Sequence, residues 1–127
     1  MVSAEIYYEG KQVKGFVVKG HAEAGPPGED LVCASISALT QTALLGLDTF
    51  LPVKPLWQME DDGYLECWIP ENLSSADLQK AVVIIGTLEL GLKSIEEGYG
   101  QYLQVSKRRW TRCCSKSICN YLHRKKG

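Results

Sequence analysis

Two runs rich in β-branched and aromatic residues open the chain, at positions 4–8 and 13–19. The short Glu9-Gly10-Lys11 link between them predicts a first β-hairpin. Positions 20–28, Gly-His-Ala-Glu-Ala-Gly-Pro-Pro-Gly, deny the backbone both helix and ladder geometry and predict a mobile loop hinged at Gly20, Gly25 and Gly28. Ile36, Leu39, Ala43, Leu47 and Phe50 then recur every three or four residues. They predict a helix capped by Asp30, running to about Thr49 and stopped by Pro52. A second hairpin follows at 57–60 and 64–69, turned at Asp61-Asp62-Gly63. Ser74 opens a second helix with an apolar stripe of Leu78, Val82, Ile85, Leu88, Leu92 and Ile95. Val83, Ile84 and Leu90 fall outside that stripe and call for cover on a second side, which another subunit would supply. Gly98 and Gly100 end the helix, and 102–105 reads as a short last strand. The order β-β-α-β-β-α-β predicts an α+β fold, a two-layer sandwich with two helices packed on a mostly antiparallel sheet.

Composition narrows the class. At 127 residues, 45% hydrophobic and 23% charged, the chain is one globular domain able to bury a core without disulfide or metal staples. The apolar stretch 81–92 is too short to span a bilayer, and the first residues lack a basic and an apolar leader, so a cytoplasmic protein with no membrane partner is expected. The formal charge of −1 hides a division: residues 1–105 hold all 15 acidic and 6 basic residues, a net −9, while 106–127 hold 8 basic residues and no acid. Such a body attracts basic peptides. Five cysteines, an odd number, fit free thiols in a reducing compartment.

One pair of residues invites nucleophilic chemistry. With Asp30 as cap, Cys33 is the third helical residue, where unpaired N–H groups and the helix dipole favour a thiolate. His21 reaches it if the intervening loop folds back, which costs modest closure entropy. By spacing alone Cys33 reads first as a small core residue, Asp30 as a cap alone, and Ser37, one turn later, as a hydroxyl bonded back to its own helix. Trp57, Tyr64 and Trp68 either wall a pocket or fill the core.

Gly20-His21-Ala22, the glycine-bearing loop, and Asp30-Leu31-Val32-Cys33-Ala34 followed by Ser37-Ala38-Leu39 resemble the ribosomal-processing cysteine protease (Prp, YsxB-like) family over about residues 1–105. The resemblance implies a small homodimeric bacterial protease without a cofactor. Its substrate would be the precursor of large-subunit ribosomal protein twenty-seven, which carries a short N-terminal extension. By position, His21 would be the general base, Cys33 the nucleophile, and Asp30 and Ser37 supporting residues. The alternative is a non-catalytic module that holds a basic ribosomal protein, with Cys33 in the core.

The segment 106–127 departs from the family pattern. Its unopposed positive charge predicts a solvated, disordered basic arm, with RNA contact as its possible function. Cys113, Cys114, Cys119 and His123 have metal-ligand chemistry, but the adjacent cysteines lack a ligand gap, so no metal is expected. No phosphate cradle or paired-histidine motif points to a cofactor.

Overall fold

The first hairpin pairs β1 (Val2–Glu9) with β2 (Gln12–Lys19) around Gly10, whose φ of +62° suits the tight turn. The computed structural model describes residues 1–20, 27–60 and 63–111. Between Tyr7 and Tyr8 the register slips, so Tyr7 faces Gly15 while Tyr8 faces Val13. This bulge switches the inward parity of β2, and Val13, Phe16 and Val18 all reach one core beside Val2, Ala4 and Ile6.

The second hairpin, β3 (Leu56–Glu60) with β4 (Tyr64–Trp68), forms as its turn chemistry demands, with Gly63 at φ +85°. β4 joins β2 where Gly15 faces Trp68. A Cβ at Gly15 would run into the carbonyl of Cys67 and lie 2.8 Å from the Trp68 ring, so this crossing admits only glycine. The last strand, β5 (Leu103–Arg109), runs parallel to β1 and completes the order β3-β4-β2-β1-β5.

β5 is longer than its apolar pattern predicts. Pairing with β1 continues to Arg109, and the Trp110 N–H donates to the Tyr8 carbonyl at 2.8 Å. Residues 106–109, read from charge as the start of a disordered arm, are therefore strand. Their cations suit a sheet edge, where charge discourages pairing with another chain. Residues 112–127, with Cys113, Cys114, Cys119 and His123, lie outside the described residues.

Helix α1 (Pro27–Phe50) starts four residues earlier than expected. Proline's fixed φ and missing N–H fit the first helical position, so the start falls at Pro27 rather than after an Asp30 cap. Gly28, expected in the loop, is the second residue of α1, and Asp30 is the fourth. Helix α2 (Ser75–Tyr99) begins as expected: the Ser74 hydroxyl accepts the Asp77 N–H at 3.2 Å and donates to its carboxylate at 2.9 Å.

Val32, Ile36, Ala43, Leu44 and Leu47 of α1 and Ala81, Ile85, Leu88 and Leu92 of α2 cover one face of the sheet. Phe50, expected on the buried stripe, is exposed instead, as are Val83 and Leu90 of α2. Leu31–Phe50 is long and apolar enough to cross a membrane, with a mean hydropathy of 1.4, but its inward side is built into this core.

Strand alternation puts Glu5, Tyr7, Glu66 and Trp68 on the other face. Glu5 is buried there, accepts a hydrogen bond from Tyr7 at 2.9 Å and forms ion pairs with Lys19 at 2.9 Å and Arg108 at 3.0 Å, tying β1 to β2 and β5. Burial opposes its charge, yet the Lys19 and Tyr7 hydrogen bonds and the two cations outweigh that and hold its carboxyl below the ordinary range.

Candidate active site

The second to fourth turns of α1, the end of β2 and the tip of the β3–β4 hairpin line a pocket of about 290 Å³. Cys33 and Ser37 line it from the helix, Gly20 from β2, and Met59, Glu60 and Tyr64 from the hairpin. Cys33 sits there because it is one turn before Ser37 on the same helix face, flanked by Val32 and Ile36, which are buried in the core. Its side chain is partly exposed and its thiol is free.

Cys67, the other described cysteine, is the opposite case. It is sealed in the core on β4, and burial, helped by the nearby Glu66 charge, pushes its thiol up to about 12. It cannot serve as a nucleophile near neutrality. Of the two described thiols, only Cys33 is both reachable and beside a cavity.

Gly20 fixes how the chain leaves β2. Its φ is +97°, and a Cβ there would run into the Met1 carbonyl. Only glycine fits, and the residue that follows is His21. Gly20 is thus an ordered pivot at the pocket wall rather than slack in a loop. His21 and Gly25 lie outside the described residues, and so does the side chain of Asp30.

The early start of α1 changes the electrostatics expected at Cys33. As the seventh helical residue it lies beyond the four unpaired N–H groups, and the dipole effect falls off within the first turn. The helix end is therefore a weaker activator than its expected third position implied. A proton acceptor has more to contribute. Asp30, at the fourth position, is not the N-cap; an acid there favours the positive helix end.

Ser37 does not bond back to the preceding turn as expected. The back-bonding hydroxyls are those of Ser35 to the Leu31 carbonyl at 2.9 Å and of Thr40 to the Ile36 carbonyl at 2.9 Å. The exposed Ser37 lines the pocket instead.

Of the three aromatic candidates, Tyr64 walls the pocket and Trp68 is fully buried. Trp57, half exposed, lines a second groove of about 490 Å³ with Leu44, Leu45 and Asp48. The two cavities share Gln41 and Met59, so they lie side by side along α1 past the hairpin. Met59 and Glu60 were not legible as site residues, although their register follows from the hairpin turn. The Tyr64 hydroxyl donates to Glu66 at 2.6 Å, and burial followed by this bond and the Glu66 charge raises its pKa, so it remains a neutral phenol. No cluster of metal-ligating side chains occurs among the described residues.

Comparison with known proteins matches residues 1–104 to the family model described as cysteine protease Prp. The ribosomal processing cysteine protease Prp of Bacillus subtilis is 33% identical over 97 residues, which are 76% of this chain and 87% of that protein. A Streptococcus mutans crystal structure superposes with a TM-score of 0.76 at 21% identity, covering 87% of this chain and 96% of the other. The essential ribosomal processing protease Prp from S. aureus, crystallised in complex with a substrate peptide, gives a TM-score of 0.72 at 22% identity, covering 85% of this chain and all of that one. With its partly exposed cysteine beside a pocket and its two-helix, five-stranded fold, the chain belongs to the cysteine protease Prp family.

Proposed function

We propose that this protein is a cytoplasmic, homodimeric endopeptidase that removes the N-terminal extension from the precursor of large-subunit ribosomal protein twenty-seven. Its Cys33 acts as nucleophile and His21 as general base. The observation that carries this reading is the free Cys33 side chain on the wall of a pocket with a second groove beside it, and with Gly20 of the same pocket leading directly into His21. The acidic body, net −9 over residues 1–105, suits a basic ribosomal substrate.

In the proposed reaction, the Cys33 proton passes to His21 as sulfur bonds to the scissile carbonyl carbon. His21 then gives that proton to the leaving amine as the C–N bond breaks. Water, activated by the same imidazole, hydrolyses the thioester and frees Cys33. The N–H groups of Gly28, Glu29 and Asp30 in the first helical turn have no partner within the helix and are the candidate oxyanion donors. Ser37 and Asp30 serve as supporting residues.

The exposed Phe50, Val83 and Leu90 supply apolar surface for the dimer contact. The test incubates a synthetic precursor peptide with wild type and with Cys33→Ala and His21→Ala, and reads products by mass spectrometry. A single cut after the extension, lost in both variants, is expected. Cutting by Cys33→Ala at the wild-type rate overturns the assignment, and binding without any cut leaves a peptide-holding module.

A further inference from the structure

Cys33, Ser37, Gln41 and Leu45 form one row on α1, each about one turn beyond the last. Cys33 and Ser37 line the first cavity, Leu45 lines the second, and Gln41 lines both. Gln41 is exposed, and its side-chain amide makes no hydrogen bond among the described residues. Its neighbours Thr40 and Thr42 instead spend their hydroxyls on the helix, donating to the Ile36 carbonyl at 2.9 Å and the Ala38 carbonyl at 2.6 Å. Across the join stands Met59, whose thioether accepts hydrogen bonds only weakly. Farther along the second groove, Asp48 and Lys54 are paired with each other at 3.2 Å. A free amide therefore stands where the two cavities meet.

We propose that the Gln41 side-chain amide binds the main chain of the substrate peptide where it passes from the Cys33 pocket into the second groove, an inference that rests on the reading above that Cys33 cuts a peptide. A peptide unit that leaves water for a cleft must find new partners for its N–H and C=O. A glutamine amide offers a donor and an acceptor side by side and matches both. The neighbouring Leu44 and Leu45 offer neither. Gln41 lies eight residues after Cys33, about 12 Å along the helix at about 1.5 Å per residue. An extended chain covers that distance in about three to four residues. The contact therefore falls well away from the reacting atoms and holds the substrate without taking part in the chemistry.

The test measures kcat and KM on a synthetic precursor peptide and on versions carrying one N-methyl group at each peptide unit in turn. Gln41→Leu keeps the bulk of the side chain and removes both hydrogen-bonding groups, while Gln41→Ala, at an exposed position inside α1, favours the helix and guards against misfolding. Each should raise KM about tenfold with kcat within about twofold, the mark of two neutral hydrogen bonds made equally in the bound and transition states. N-methylation about three or four residues from the cut, on one side of it, should raise the wild-type KM several-fold and that of Gln41→Leu less than about twofold. A wild-type KM in Gln41→Leu, or a fall in kcat alone, overturns the proposal. So does an equal N-methyl penalty in wild type and Gln41→Leu, which would give the peptide main chain to the edge strand β3 instead. Fluorescence anisotropy of the labelled precursor peptide with Cys33→Ala and with Cys33→Ala/Gln41→Leu runs in parallel, the second expected to bind about tenfold more weakly. That weakening without any cut by the wild type contradicts the protease reading alone, and a cut with equal affinities contradicts this inference alone.

Discussion

Gly20→Ala isolates the link between backbone geometry and chemistry. An alanine at a φ of +97° pays left-handed strain of about 1–2 kcal/mol. Its methyl would also run into the Met1 carbonyl, and overpacking of that kind adds roughly 1–3 kcal/mol. The total, roughly 2–5 kcal/mol, should lower Tm by about 10 °C or more in a domain of this size. Relief comes by moving the Met1 end or by turning the peptide that carries His21. Turning the peptide shifts the base, and a misplacement of about 1 Å costs about 10²-fold in rate. Gly10→Ala is the control, because its φ is also positive, at +62°, but nothing lies within 4 Å of the added methyl. It should cost about 1 kcal/mol and leave cleavage unchanged. Thermal melts paired with kcat/KM on a precursor peptide separate the two. A folded Gly20→Ala protein with wild-type kcat/KM would refute the idea that this pivot aims His21.

Iodoacetamide at pH 8 should alkylate Cys33 while sparing Cys67, whose thiol near 12 leaves about one part in 10⁴ ionised; peptide mapping that finds Cys67 modified as fast would show the core seal to be wrong. Gly15→Ala, forced against the Cys67 carbonyl and Trp68, should destabilise by about 3 kcal/mol or more in urea titration, and a cost below about 1 kcal/mol would mean β2 and β4 are less tightly joined than described. Glu5 has a depressed folded pKa, so its ion-paired form stabilises the fold above the unfolded carboxyl value of 4.5, and that contribution fades as pH falls through the lower folded value. Glu5→Gln should therefore lower stability more at pH 7 than at pH 3, as read by urea midpoints; an equal loss at both would assign the effect to packing.

Local signals and long-range ones were not equally legible. Both hairpins and the Ser74 cap follow from turn and capping chemistry contained within a few residues, and the structure forms them where that chemistry predicts. The start of α1 was misplaced because two local preferences competed, proline at the first helical position and aspartate as cap, and proline prevailed. The length of β5 depends on β1, about a hundred residues away, so its charged half carried no apolar pattern to read. The apolar wall of the second groove was hidden for a similar reason. Met59 and Trp57 alternate with Gln58 along β3, and which of them meets the groove depends on the face that α1 covers. Cys33 was readable as either nucleophile or core, and its place on the pocket wall supports the former.

The central claim is that the Cys33 sulfur attacks a peptide carbonyl with His21 as its base. A chloromethyl ketone built on the precursor extension tests it through intact-protein mass and peptide mapping. The account predicts one adduct per chain, on Cys33, displaced by excess substrate and strongly slowed in His21→Ala. An adduct elsewhere, or a Cys33 adduct formed at full rate without His21, would contradict it.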